Sequence, residues 1–230
     1  GLHFFNPVAV MPLIEIVRAK PTSDLTLATA FDLAAKLRKT GIAVKDSPAF
    51  LVNRLLVRML VDCLSLADEG ASFQQVDEAL QALGLPMAPF ELLDLVGLPV
   101  ACHVTETLHH AFGPERFPLN ANLKRLVDMK KTAFYLREGS RKQLDPEIEG
   151  MWVKIGKREF HLEEIQERVL SNLARETDLV LHEKVVGSSR DVDLAMIMGA
   201  GWPFFMGGLT MYLDLVGITP RVLQKVFFSF

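Results

Sequence analysis

His3 and Glu15 are the residues of the opening stretch "GLHFFNPVAVMPLIEIVRAK" that sit worst with their apolar neighbours. A carboxylate among Leu13, Ile14, Ile16 and Val17 is costly to bury unless something pairs with it. An imidazole is the natural partner. Glu15 accepting from one ring nitrogen of His3 would fix the tautomer and leave the other nitrogen to take or give a proton. No serine or cysteine stands beside the pair, so its chemistry is proton transfer with a substrate oxygen rather than nucleophilic attack. The same two residues also admit a structural histidine satisfied by backbone, and taken alone they leave both readings open.

Asn53 is the next candidate. It starts a helical pattern whose companions on its side are Val57, Leu60 and Leu64, so its amide points toward apolar surface. Either nearby backbone satisfies it or it waits for a ligand, because a buried amide left unpaired costs about 1–3 kcal/mol. His103, Glu106 and His109 in "HVTETLHH" have the residue types of a metal site. Their i, i+3, i+6 spacing is not the i, i+4 face of a zinc-binding helix, so a solvated helix face is expected and no metal. Cys63 and Cys102 each fall inside a helical pattern, which fits a reducing compartment without a disulfide framework.

These residues must be placed by a chain of 230 residues with net charge −3 and mean hydropathy +0.23. Its basic residues form no stripe, which argues against nucleic acid as a ligand. No secretory leader pattern opens the sequence, and none is expected. The uncharged stretch 194–213 has the length of a membrane span, but Pro203 and four glycines interrupt it, so no transmembrane segment is expected.

Residues 1–20 read as extended, with the near-continuous apolar run of a strand covered on both faces. A helix is predicted over 22–40, capped by Thr22 or Ser23 and stopped at Gly41, and "IAVKD" follows as a short strand. From Pro48 the pattern turns helical. Arg54, Arg58, Asp62, Ser65 and Glu69 form one polar line along a long helix, with Arg58 and Asp62 spaced to pair. The chain then repeats itself. Arg54, Glu69, Asp77, Gly84-Leu85-Pro86 and "LDLVGL" return as Arg168, Glu183, Asp193, Gly201-Trp202-Pro203 and "LDLVGI". The copies differ where Glu167 stands for Asn53 and Tyr212 for Leu92, so any site is asymmetric across the repeat. Residues 137–150 read as a polar linker between the copies.

The ordered set "GLHFFNPVAVMPLIEIV", "SPAFLVNRLL" and "APFELLDLVGL" resembles the 3-hydroxyacyl-CoA dehydrogenase family over nearly the whole chain. The duplicated helical region looks like that of the multifunctional fatty-acid β-oxidation proteins. The resemblance implies a mainly α fold of two tandem helical repeats, preceded by the last strands and helix of an incomplete Rossmann-like α/β domain. The expected limits are 1–47 for the NAD-binding remnant, 48–136 for the first repeat, 137–150 for the linker and 151–230 for the second. His3 matches the family's catalytic histidine and Glu15 its partner. Asn6 matches the NAD-contacting asparagine, and Asn53 and Tyr212 match substrate-contacting positions. The implied reaction is NAD-dependent oxidation of (S)-3-hydroxyacyl-CoA to 3-ketoacyl-CoA. A non-catalytic helical assembly module is the rival reading.

The chain departs from the family pattern in three places. It lacks the Gly-rich dinucleotide turn and the first strands of the sheet. "MKKTAFY" lacks the usual glycines, and "VFFSF" stops early. The expectation is therefore a fragment that neither binds NAD tightly nor turns over alone. Its expected partners are acyl-CoA, a thiolase subunit or an upstream enoyl-CoA hydratase domain, and a second copy of the chain. The expected location is the bacterial cytoplasm or an organelle matrix.

Overall fold

The computed structural model describes residues 1–139 and 141–228. It divides into two compact units, Gly1–Leu56 with Leu173–Phe230, and Val57–Asn172. The chain is mostly helical, with few strands.

In the first unit, β1 (Leu2–Phe4), β2 (Leu13–Arg18) and β3 (Thr40–Lys45) form one sheet in that order. β1 runs antiparallel and β3 parallel to β2, so residues 1–20 are two strands and a loop rather than one extended run. Five of the six β2 residues are buried, as a strand covered on both faces requires. Ile14 and Ile16 pack on α1 (Asp24–Lys36) through Ala34, Leu27 and Ala30. Alternation then turns Leu13, Glu15 and Val17 to the opposite face. There α9 (Ser189–Ala200) packs on β2, and a Cβ on Gly199 would come 2.6 Å from Leu13 Cδ2.

Helix α1 starts where Ser23 accepts from the Thr26 amide, but it ends before Gly41. Arg38 supplies the left-handed residue after the helix, at φ 55°. Gly41 lies inside β3, where a Cβ would come 2.7 Å from Ile16 Cδ1, so its size rather than its flexibility is what the fold uses. The unit also holds the start of α2 (Val52–Glu69), the end of α8 (Leu162–His182), α10 (Leu209–Leu215) and α11 (Ile218–Leu223). Arg54, fully buried, bonds Glu176 at 2.6 Å through Nε and Glu183 at 2.7 Å through Nη1.

The second unit contains α3 (Phe73–Gln81), α4 (Pro89–Val96), α5 (Leu98–Phe112), α6 (Ala121–Asp128) and α7 (Pro146–Met151). The stretch read as a linker holds most of an antiparallel hairpin, β4 (Tyr135–Glu138) with β5 (Arg141–Leu144), and the start of α7. Phe73, Phe90, Phe134 and Trp152 build the core with ring centroids 4.7–5.9 Å apart. Arg58 pairs with Asp62 as its spacing predicts. Both Arg168 Nη atoms reach Glu69 at 2.7 Å and hold its carboxyl below the usual range.

Equivalent residues of the two sequence copies make equivalent bonds. Asp77 accepts from the Phe90 amide and Asp193 from the Thr210 amide, each at the start of a short helix. Asp94 accepts from the amides of Phe134 and Tyr135, and Asp214 from those of Phe227 and Phe228. No described helix is long and apolar enough to cross a membrane. Residues 194–213 break at Gly201, Pro203 and the Gly207-Gly208 pair.

Candidate active site

The register of β1 against β2 sets His3 directly opposite Glu15, so both side chains leave the same face of the sheet. His3 Nδ1 lies 2.6 Å from Glu15 Oε2. Glu15 is 0% exposed, while the His3 side chain keeps 27%. A buried carboxylate can only accept, so Nδ1 donates, and the neutral ring carries its lone pair on Nε2. That nitrogen has no hydrogen-bond partner among the described residues. The imidazole is walled by Phe5 and Phe50, with centroids at 4.7 and 5.3 Å.

The second Glu15 oxygen is also occupied. Oε1 accepts from the backbone amides of Leu51 at 3.1 Å and Val52 at 3.0 Å. These amides stand at the start of α2, where helix geometry leaves donors without internal partners. Glu15 therefore caps α2 from a neighbouring strand while it holds His3. The turn that delivers the amides places two successive non-glycine residues in the left-handed region, Ala49 at φ 59° and Phe50 at φ 51°.

Asn53 follows Val52 within the first turn of α2 and is half-buried. Its amide has no hydrogen-bond partner among the described residues, so the backbone-satisfied alternative is not what the structure shows. Asn6 is exposed on the loop between β1 and β2. That loop is tied down by Lys39, whose Nζ donates to the carbonyls of Val8 at 2.7 Å and Met11 at 2.6 Å. Tyr212, half-buried on α10, sets its ring 6.2 Å from that of Trp202, and burial raises its phenol. It makes no described bond or ring contact with His3, Glu15 or Asn53.

His3 and Glu15 are thus brought together, with Asn53 one residue beyond the amides that hold Glu15. Lys39, Phe50 and the Leu51 and Val52 amides were not foreseen. A lysine ending a helix and a phenylalanine in an apolar run carry no special signal, and backbone donors carry none at all. In α5, His109 Nδ1 donates to the Phe117 carbonyl and His110 Nδ1 to that of Glu106, which accounts for two of the histidines there.

Comparison with known proteins gives the family. The model of the 3-hydroxyacyl-CoA dehydrogenase NAD binding domain matches residues 1–47, and that of the C-terminal domain matches 50–137. The fatty acid oxidation complex subunit alpha of Acinetobacter baumannii (strain SDF) is 37% identical over 238 aligned positions, covering 96% of this chain and 33% of the relative. The chain spans about a third of the length of the curated relatives it matches. The crystal structure of (S)-3-hydroxybutyryl-CoA dehydrogenase from Ralstonia eutropha aligns at 36% identity and TM-score 0.56, over 58% of this chain and 48% of that one. That of 3-hydroxybutyryl-CoA dehydrogenase from Escherichia coli K12 has TM-score 0.76 at 20% identity, covering 97% and 65%, and so speaks to the fold alone. Two adjoining domain models of one family, matched in order along a chain with this sheet and these helices, place it in the 3-hydroxyacyl-CoA dehydrogenase family.

Proposed function

We propose that this chain supplies the proton-transfer machinery of an NAD-dependent (S)-3-hydroxyacyl-CoA dehydrogenase of fatty-acid β-oxidation. The observation that carries this reading is the fully buried Glu15, bonded to His3 Nδ1 on one oxygen and to two helix-start amides on the other. That arrangement leaves Nε2 without a described partner on a side chain that keeps 27% exposure. His3 Nε2 accepts the proton of the substrate 3-hydroxyl, and Glu15 stabilises the imidazolium that results. Bound NAD supplies the acceptor for the hydride that leaves C3. In the reverse direction His3 returns the proton to the alkoxide oxygen. The Asn53 amide, without a partner of its own, is a donor for the hydroxyl or thioester oxygen and so orients C3.

The residues fit NAD at one end only. The exposed Asn6 amide on the loop leaving β1 suits a carboxamide bound beside His3, whereas among the described residues no Gly-rich turn opens a helix to receive a pyrophosphate. Tyr212 is proposed as a substrate contact on the resemblance of its position. The helical region is proposed as two tandem repeats, 48–136 and 151–230, after an NAD-binding part at 1–47. The paired bonds of Asp77 with Asp193 and of Asp94 with Asp214 support that reading. The name of the Acinetobacter relatives supports a place in a fatty-acid oxidation complex; a thiolase or hydratase partner and a bacterial cytoplasmic location are proposed on the family resemblance.

The test uses the full-length gene product, following NADH formation from a short-chain 3-hydroxyacyl-CoA. His3→Ala and Glu15→Gln should each abolish measurable oxidation while acyl-CoA binding persists. Unchanged oxidation in both variants would reject the dehydrogenase reading.

A further inference from the structure

We infer that the Ala49–Phe50 turn is a positioning device for the His3–Glu15 pair, and that both residues act on the site through other groups. The inference rests on the dehydrogenase reading for its purpose but not for its geometry. Left-handed backbone is common for glycine and rare for residues with a side chain, and here two such residues follow one another. Strain of this kind persists where the surrounding structure holds it in place.

The turn begins at Ser47, whose carbonyl accepts from the Phe50 amide at 2.9 Å. Two consecutive left-handed residues swing the chain so that the next two amides, of Leu51 and Val52, converge on the same oxygen of Glu15. Leu51 and Val52 are themselves fully buried, so neither amide has water as an alternative. The same swing lays the Phe50 ring against His3, on an imidazole already in contact with Phe5.

A turn that only started α2 would need an acceptor for its amides and nothing more. This one uses an acceptor shared with His3 and adds an aromatic wall to the imidazole. Its effect is to restrict both members of the pair. Glu15 cannot rotate without losing two donors, and the His3 ring is packed against two phenyl rings.

The experiment is nitrogen-15 NMR of the imidazole groups in the 230-residue protein, with the His3 signals assigned by their loss in His3→Gln. The wild type should show a proton on Nδ1, slow to exchange. Ala49→Gly, which tolerates the left-handed conformation, should retain it. Ala49→Val, whose branched side chain disfavours that conformation, and Phe50→Leu, which keeps apolar bulk without the ring, should raise its exchange rate at least about tenfold. Circular dichroism reports whether each variant is folded; should Ala49→Val not fold, Phe50→Leu decides alone. A folded Phe50→Leu with wild-type tautomer and exchange rate overturns the proposal. Because the readout needs no turnover, that outcome is distinct from failure of the dehydrogenase reading, which shows only in the activity of the full-length His3 variant.

Discussion

Replacing Glu15 by glutamine exchanges one carboxylate oxygen for an NH2 group and should invert the chemistry of His3. The orientation of the new amide is dictated by the backbone. The Leu51 and Val52 N–H groups need an acceptor, so the glutamine oxygen must take the Oε1 position and its NH2 must face His3. A donor at that place forces Nδ1 to become an acceptor, and the ring proton moves to Nε2. The outward nitrogen is then a donor and can no longer take a proton from a substrate. Three charge-assisted hydrogen bonds, at 2.6, 3.0 and 3.1 Å, become neutral ones. At about 1 kcal/mol each, the loss is partly offset because a charge is no longer buried, for a net destabilisation of about 1–3 kcal/mol. In a chain of this size that lowers the melting temperature by about 2–12 °C. The corresponding wrong-tautomer substitution in serine proteases costs about 10⁴ in kcat, and a similar loss is expected in the full-length protein. Nitrogen-15 shifts of His3 in this chain read the tautomer directly. A Glu15→Gln protein that keeps the proton on Nδ1 would refute the reasoning.

Asp193 is pushed above its usual value of 3.8 by burial, against the bonds from Thr210 and Met211 that lower it. The folded state therefore holds a proton that the unfolded chain has released, and this group's contribution to stability falls as pH rises from about 3.8 through the raised value. Denaturant titrations of Asp193→Asn should lack that fall, so the variant gains on the wild type across the window; a constant difference would contradict the assigned shift. Lys39→Met removes both ties to the Val8 and Met11 carbonyls and should speed hydrogen exchange at Val8, Ala9 and Val10 while leaving α1 protected. Equal protection in that loop would show that the lysine does not hold it. Isothermal titration of the 230-residue chain with NAD should show no binding at micromolar concentration, because one Asn6 hydrogen bond of about 0.5–1.5 kcal/mol cannot offset an association cost of at least about 4 kcal/mol. A micromolar Kd would reveal a pyrophosphate cradle other than a Gly-rich turn.

The His3–Glu15 pair was legible because each residue contradicts its neighbours, and a buried contradiction must be resolved by a partner. Asp77 and Asp193 recur in the sequence at matching places before a Pro-marked turn, and each accepts an amide at the start of a short helix. What stayed hidden depended on backbone. The amides that hold Glu15 belong to Leu51 and Val52, whose side chains announce only burial. The left-handed turn before them is occupied by Ala49 and Phe50, where a glycine would have marked it. Conversely Gly41 looked like a helix stop, yet Arg38 took that conformation and Gly41 served packing. Residues 137–150 read as a linker because they are polar with Gly and Pro, and the period-2 pattern of so short a hairpin is lost among arginines and glutamates. Gly139, at φ 59°, lies at the end of β4 where the chain turns toward β5.

The discontinuity of the first unit has a consequence for how the protein is made. Val57–Asn172 is a continuous stretch and can close as it leaves the ribosome, whereas the unit that carries His3 and Glu15 needs Leu173–Phe230. At about 5–20 residues per second, synthesis of the intervening stretch alone takes about 6–23 s. During that interval the face of β2 bearing Leu13, Glu15 and Val17 is without α9, its eventual cover. Leu13 and Val17, nearly inaccessible in the finished protein, are then exposed on the open face of the sheet. Residues 13–17 are thus translated well before the helix that shelters them, and nascent chains stalled before residue 189 should be held through this strand by chaperones that bind exposed apolar segments.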